Sequence, residues 1–275
     1  MKFSYKSLRY FIILICLFQS PFRGLGQTKN DSDTHPTRFD ERFILSGFLD
    51  ARDVVVAPFH WKGSQWLIFG AIATADVALI FTNADKSVMT FAQTNRNNTS
   101  NYLEKYVGDP FGSGVFPAVI IGTSYLAGCI FKKDHPKHMA MLTTKSIVIS
   151  GVTTLLLKSV FERYRPYQDP NPKHWLGPKG QFQFDSYPGG HTTLAFATAT
   201  MIAQEYPHPL IIPITAYTLA TITGLGRING NYHWASDILM GSAIGYFTSR
   251  LIFRHDNWKK CRLKRLKHEP NNDSM

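Results

Sequence analysis

Residues 226–237 read GRINGNYHWASD and separate two apolar stretches of helical length, at about 209–225 and 237–253. His233 and Asp237 are four residues apart, so they share a face if the segment is helical. A carboxylate that binds one ring nitrogen of a histidine fixes the tautomer and leaves the other nitrogen available for chemistry. The segment is therefore expected to turn between two helices and to carry a polar site.

Apolar stretches of similar length recur along the chain, and no strand-like alternation or sequence repeat dominates. The pattern predicts an all-α fold, a helical bundle of about six core helices. The four other stretches lie at about 66–82, 115–131, 139–158 and 192–206.

Two further polar clusters lie at the ends of these stretches. Lys158 closes the third stretch, and Arg165-Pro166 follows within KSVFERYRP. His191 opens the fourth stretch, directly after Gly189 and Gly190 in PGGH. All three clusters are thus expected to meet at one end of the bundle.

The combined clusters supply three fixed cations, two histidines and one carboxylate. Arginine and lysine bind phosphate oxygens as charge-assisted donors. A neutral imidazole can attack phosphorus, and a second histidine can protonate the leaving oxygen. Free backbone amides at the start of a helix also favour an anion. This inventory suits a phosphate-like oxyanion and requires no metal or other cofactor.

These residues resemble the type 2 phosphatidic acid phosphatase (PAP2) superfamily, which includes bacterial acid phosphatases, lipid phosphatases and vanadium haloperoxidases. Its pattern is K-x6-R-P, then P-S-G-H, then S-R-x5-H-x3-D. Six residues separate Lys158 from Arg165, five separate Arg227 from His233, and three separate His233 from Asp237. The resemblance extends over about residues 63–253.

The resemblance implies a role for each matching residue. His233 would be the nucleophile that becomes phosphohistidine, Asp237 its orienting partner, and His191 the general acid. The expected phosphate ligands are Lys158, Arg165, Arg227 and the amide of Gly190.

Two positions depart from the family pattern, because Gly189 and Gly226 stand where the family has serine. Losing the first hydroxyl removes one expected hydrogen bond to phosphate. We expect this to affect substrate affinity and turnover, but not the type of reaction. Restoring serine at residue 189 is expected to tighten phosphate binding if the site has room.

The ends of the chain suggest export. Residues 1–26 resemble a signal peptide, with basic residues before FIILICLF at residues 11–18; an uncleaved anchor is the alternative. Residues 27–62 form a polar lead-in and an arm, either an interfacial amphipathic helix or, as the scattered charges favour, a packing arm. Residues 254–275 form a basic tail, and three distant cysteines among 275 residues show no metal or disulfide pattern.

Membrane insertion of all six stretches is in question. Mean hydropathy is −0.13, and Asp76 and Lys145 interrupt the first and third stretches, which makes these the weakest candidates to lie in lipid. After a cleaved signal peptide, three crossings would also put Lys158 in the cytoplasm. A bundle with fewer crossings, or a soluble or membrane-associated periplasmic one, would avoid this.

The sequence thus predicts a bacterial envelope phosphatase whose site faces the periplasm. Its partner would be a phosphorylated lipid or a small phosphomonoester, and a nucleic acid is not expected. Phosphatidic acid, phosphatidylglycerophosphate, undecaprenyl pyrophosphate and the lipid A phosphates are the lipid candidates. A broad-specificity acid phosphatase, a haloperoxidase, and a non-catalytic helical anion-binding protein are the alternatives. The oligomeric state stays open.

Overall fold

The computed structural model describes residues 38–179 and 185–268, and only the backbone for 258–268. Within these ranges the chain is helical, and an isolated bridge between Arg163 and Trp175 is the only strand-like pairing. The all-α prediction is therefore confirmed. The predicted signal peptide, residues 27–37 of the lead-in and residues 269–275 lie outside the described residues.

The helices follow one another with short connections, except for the segment that joins α7 to α8. They are α1 Glu41–Val56, α2 Gly63–Phe81, α3 Ala84–Thr94, α4 Asn98–Leu103, α5 Asp109–Gly112, α6 Val115–Ile130, α7 Asp134–Phe161, α8 Gly190–Glu205, α9 Ile211–Asn229 and α10 Ala235–His268, with a 3₁₀ turn at Ala57–His60 and a π turn at Glu104–Gly108. Helices α2 and α6–α10 correspond to the six predicted stretches. Helix α10 continues past residue 253, where the sequence pattern placed the start of the tail.

The long helices alternate in direction, so the bundle has two distinct ends. Lys158 lies in the last turn of α7, and His191 lies in the first turn of α8. The other ends of these helices also meet, since His135 Nε2 of α7 lies 3.1 Å from Glu205 Oε2 of α8. We call the first end the site end and the second the far end.

Helices α8 and α10 approach each other closely along a pair of glycines. A Cβ atom at Gly241 would collide with the carbonyl oxygen of Gly189, and one at Gly245 with that of Thr193. Glycines four residues apart on a helix permit this backbone-to-backbone packing, as in many membrane helix pairs. The close approach brings the start of α8 against the start of α10 at the site end, where Gly189 N–H donates to Asp237 O over 2.8 Å.

Helix α1 is amphipathic and packs its polar side on the bundle. Its N-cap Asp40 accepts a hydrogen bond from Phe43 N, and its buried Asp50 Oδ2 lies 2.8 Å from the buried Lys145 Nζ of α7. Phe48 and Val55 point outward, each 71% exposed. Ala51 and Val54 of the same helix pack against the bundle core, so α1 combines a packed inner face with an apolar outer face.

Three helices, α2, α7 and α9, are long and apolar enough to cross a membrane. A fourth crossing is possible if residues 98–112 and helix α6, which meet at a bend of 53°, form one broken span. The expectation that the first and third stretches are the weakest spans is wrong. Asp76 and Lys145 are only 3% and 8% exposed, so the bundle shelters both from lipid.

The first test addresses the glycine packing. We expect Gly245→Ala to destabilise the protein by about 1–3 kcal/mol, because its Cβ overpacks the α8 backbone. Gly122→Ala on α6, where a Cβ meets nothing within 4 Å, is the matched control. That change should be neutral or stabilising by up to about 1 kcal/mol through helix propensity. Thermal unfolding in detergent measures both, and equal effects would contradict the close packing.

Candidate active site

The third cluster forms a buried histidine–carboxylate pair between α9 and α10. His233 is 2% exposed, and its Nδ1 lies 3.4 Å from Asp237 Oδ2. Asp237 lies in the first turn of α10, and its Oδ2 also accepts a hydrogen bond from Trp234 N over 2.8 Å. A side chain that reaches back to the backbone at the helix start is half of a capping box. The same carboxylate therefore starts the helix and orients the histidine.

Arg163 holds this carboxylate from behind. It is fully buried, and its Nη1 lies 2.5 Å from Asp237 Oδ1. Its Nη2 lies 2.7 Å from Asp85 Oδ2 of α3, and both Nε and Nη2 donate to Pro172 O. Sequence reasoning missed Arg163, although it stands two residues before Arg165 in the same motif.

Ser186 was also missed. Its hydroxyl donates to Asp237 Oδ2 over 2.5 Å and lies 3.5 Å from His233 Nδ1. Ser186 belongs to the loop that joins α7 to α8. Residues 180–184 of that loop lie outside the described ranges, but its end clearly contributes to the site.

Lys158 and Arg165 converge on one carboxylate, Asp185. The Lys158 ammonium donates to Asp185 O and lies 3.8 Å from its Oδ2, while Arg165 Nε and Nη2 lie 2.9 and 2.7 Å from Oδ1. Both N–H groups donate to one carboxylate oxygen, and the same charge-assisted donors would be available to a phosphate oxygen. A carboxylate thus stands where an oxyanion is expected to bind.

Arg227 and His191 meet at a second carboxylate, Asp109. Arg227 Nη1 lies 3.0 Å and His191 Nε2 3.4 Å from Asp109 Oδ1. Arg227 Nη2 also lies 3.1 Å from Glu104 Oε1. Asp109 is the more accessible partner, because its side chain is 37% exposed and that of Glu104 11%.

The electrostatics favour neutral imidazoles beside an ionised Asp237. Burial and the charge of Lys158 lower the pKa of His233 to about 4, although Asp237 acts in the opposite direction. Burial opposes ionisation of Asp237, but Arg163 and His233 outweigh it and hold the pKa of that carboxyl far below its usual value. Burial, followed by Arg227 and His233, lowers the pKa of His191 to about 4.

The two positions that depart from the family pattern are tightly packed. A Cβ at Gly189 would lie 2.9 Å from Asp237 O, and one at Gly226 3.2 Å from Glu104 Cγ. The room required for a restored serine at residue 189 is therefore missing unless the start of α8 moves. At Gly190, by contrast, a Cβ would first meet Lys158 Cε at 3.6 Å. The Gly190 amide thus begins α8 beside Lys158, one of the predicted phosphate ligands.

The structure brings all seven predicted site residues to one end of the bundle. A buried imidazole with one nitrogen held by a carboxylate can act as a nucleophile, and three cations can neutralise an oxyanion. One histidine–carboxylate group of metal-binding size occurs among the described residues, Asp50, Asp53 and His255. It lies where α1 packs on the distal part of α10, away from this site.

The comparisons with known proteins agree with this geometry. A model of the PAP2 superfamily matches residues 140–261. Over 78 residues, 26% of the chain, the sequence is 46% identical to a lipid A 1-phosphatase of Porphyromonas gingivalis, of which the match covers 18%. It is 30% identical over 108 residues, 38% of the chain, to lipid A 1-phosphatases of Rhizobium johnstonii and Rhizobium etli, covering 43% and 45% of those proteins.

A solved structure shares the fold. The crystal structure of a transmembrane PAP2-type phosphatidylglycerolphosphate phosphatase from Bacillus subtilis matches 70% of this chain and 94% of its own, with a TM-score of 0.51 and 18% identity. Residues 140–261 therefore match the PAP2 superfamily in sequence, and the chain shares the fold of this solved transmembrane phosphatase. The chain spans less than half the length of the curated relatives that it matches.

A prediction concerns Asp185, whose carboxylate pairs with Lys158 and Arg165. We expect Asp185→Asn to lower the inhibition constant of vanadate about two- to fivefold, because the part-exposed ion pair is worth under about 1 kcal/mol. Asp169→Asn, in the same loop but bonded to His174, is the control and should change little. Weaker vanadate inhibition in Asp185→Asn would instead make Asp185 a part of the binding structure.

Proposed function

We propose that this protein hydrolyses a phosphomonoester of an envelope lipid through a phosphohistidine on His233, without a metal. The proposal rests on the orientation of the His233 imidazole, which the Asp237 carboxylate fixes. His233 Nδ1 faces Asp237 and Ser186. In the tautomer with the proton on Nδ1, this nitrogen donates to Asp237, and the lone pair on Nε2 is available to attack phosphorus. The phosphate group of the substrate displaces the carboxylates of Asp185 and Asp109. Its oxygens are then bound by the cations Lys158, Arg165 and Arg227.

The first step forms a P–N bond and breaks the ester P–O bond. His233 Nε2 attacks phosphorus, and the leaving oxygen takes a proton from His191. With its pKa near 4, His191 is neutral in the free site at neutral pH. A bound phosphate places negative charge beside it and favours its protonated form. A substrate that enters as the monoanion supplies this proton.

The second step releases phosphate. A water molecule gives a proton to His191 and attacks phosphorus, and the P–N bond breaks with its electron pair returning to His233 Nε2. His191 then passes this proton to the departing phosphate and is neutral again in the free site. Asp237 stabilises the positive charge that His233 carries while it is phosphorylated.

The membrane setting supports a lipid substrate. Three helices have the length and composition of spans, and the relatives named above are a lipid A 1-phosphatase in three bacteria and a phosphatidylglycerolphosphate phosphatase. Lipid A phosphate is the substrate most favoured by these names. Phosphatidic acid, phosphatidylglycerophosphate and undecaprenyl pyrophosphate remain candidates. A broad acid phosphatase would cleave small esters as well as lipids, and a non-catalytic protein would bind phosphate without release.

The test of catalysis is a set of histidine variants. His233→Ala should reduce phosphate release by at least about 10³-fold, since the nucleophile is lost. The wild type should form an acid-labile, base-stable phosphoenzyme, and Asp237→Asn should retain some activity. His208→Ala, a histidine of the far-end loop, is the control.

The pH profile is a separate test of the nucleophile. Because burial lowers the pKa of His233 to about 4, the acid limb of kcat/KM should lie near pH 4 rather than 6.5. A phosphoenzyme on another residue, or activity lost in EDTA, would contradict the mechanism.

We also propose that the site end faces the periplasm. Lys132, Lys133 and Lys137 lie at the far end, and residues 254–268 add seven Lys/Arg where α10 runs away from the site. Cytoplasmic flanks of membrane helices carry such an excess of positive charge. Helix α2 runs from the far end to the site end, so residues 38–62 lie on the cytoplasmic side in this orientation. An exported lead-in would instead require that α2 does not cross.

Matched single cysteines test the orientation. In a background lacking Cys16, Cys129 and Cys261, Lys179→Cys lies at the site end and Lys132→Cys at the far end, and both positions are exposed. A membrane-impermeant thiol reagent should label only Lys179→Cys in cells with a permeabilised outer membrane. Labelling of only Lys132→Cys would place the site in the cytoplasm.

A further inference from the structure

A cavity of about 300 Å³ lies between α2, the end of α7 and α10, beside the catalytic pair. This volume is at the lower end of the range for small-ligand sites. Its walls are mainly apolar and aromatic. They include Asp76, Val77, Phe161, Trp175, Tyr187 and Met240. We call it the α2 crevice.

Asp76 is the exception in this apolar wall. It is 3% exposed, and its Oδ2 accepts a hydrogen bond from Tyr187 Oη over 2.8 Å. Its Oδ1 is buried and has no hydrogen-bond partner among the described residues. A buried polar atom without a partner destabilises a protein, and most such atoms in native proteins are satisfied. A ligand that brings a hydrogen-bond donor would satisfy this one.

The α2 crevice opens on the lipid-facing side of the bundle. Val77 and Phe161 at its rim are 52% and 37% exposed. Helix α2 is a candidate span, and Asp76 lies five residues before its site-side end at Phe81. At 1.5 Å per residue, the carboxylate is about 7.5 Å below that end. A donor that reaches it must sit just below the headgroup region, not near the tail of a hydrocarbon chain.

The crevice shares its wall with the catalytic machinery. Tyr187 directly follows Ser186, which donates to Asp237. The Trp175 ring stacks on the guanidinium of Arg163, 4.7 Å from its centroid, and Arg163 holds Asp237 from the other side. A lipid whose hydrocarbon chain lies in the α2 crevice would therefore have its headgroup close to the proposed phosphate-binding cations.

We propose that the α2 crevice is a subsite for one hydrocarbon chain of the lipid substrate, and that Asp76 Oδ1 accepts a hydrogen bond from a donor near the start of that chain. A hydroxyl on the chain and the N–H of an amide that links the chain to its headgroup both supply this donor. An unsubstituted ester-linked chain fills the same volume and leaves Oδ1 without a partner. The inference rests on the proposed function, because it assigns the chain to the phosphorylated substrate.

Binding of non-hydrolysable phosphonate lipids tests the subsite independently of turnover. Three analogues share chain length and headgroup: one ester-linked and unsubstituted, one ester-linked with a hydroxyl near the carbonyl, and one amide-linked. The full-length protein in detergent micelles should bind at least one donor-bearing analogue about tenfold more tightly than the unsubstituted one. The two donor arms distinguish hydroxyl from amide, and equal affinity for all three would overturn the proposal.

Variants then assign the preference to Asp76. Asp76→Leu, of similar size, should remove the tenfold preference while leaving vanadate binding unchanged. Tyr187→Phe removes the partner of Oδ2 but leaves Oδ1, so it should keep the preference. If Asp76→Leu does not fold, Met240→Trp, which fills the crevice, should weaken binding of every lipid analogue but not of vanadate. A preference that survives in Asp76→Leu, or lipid affinity that survives in Met240→Trp, would also overturn the subsite.

Hydrolysis of a short soluble phosphomonoester separates this inference from the proposed function. Turnover of the soluble ester without any preference among the analogues would refute the subsite alone. A clear donor preference without any phosphate release would refute the proposed catalysis and retain the subsite as part of a binding protein.

Discussion

The buried guanidinium of Arg163 is the contact on which the site depends. It joins Asp85 at the start of α3, Asp237 at the start of α10 and a carbonyl of the segment after α7. A fully buried cation is tolerated only when its charge and its N–H groups are matched. Three segments that are distant in sequence must therefore be in place together before His233 has an oriented partner. The contacts that fold the site end are thus the same contacts that orient the Asp237 carboxylate toward His233.

The fold could be predicted from the sequence because its determinants are local. Apolar stretches of helical length gave the six core helices, and the intervals between Lys158 and Arg165 and between His233 and Asp237 placed the seven site residues. What could not be predicted involves contacts between distant positions. Arg163 is two residues from Arg165, and no local pattern shows that one faces inward to a carboxylate while the other faces the phosphate site. The roles of Ser186 and Asp85 likewise appear only when the helices are assembled.

The same limitation explains the error about Asp76 and Lys145. Within their own helices, both charges interrupt apolar stretches and argue against insertion into lipid. In the bundle, each meets a partner from another segment, Tyr187 for Asp76 and Asp50 for Lys145. The environment of an ionisable group in a membrane bundle is set by the neighbouring helices, which a single-helix pattern does not contain. Gly189 is a related case, because the backbone of α10 lies so close that a side chain at this position would collide with it.

The carboxylates that pair with the cations have a consequence for the end of the proposed reaction cycle. A site built only from cations would hold inorganic phosphate strongly and release it slowly. Here Asp185 stands beside Lys158 and Arg165, and Asp109 stands beside Arg227, so each cation has a tethered anion at hand when phosphate leaves. When the product phosphate leaves, the carboxylates of Asp185 and Asp109 replace it beside the cations, so that no cation is left without a counter-charge. The resting site is thus close to neutral, because the carboxylates of Asp185 and Asp109 balance the charges of the neighbouring cations.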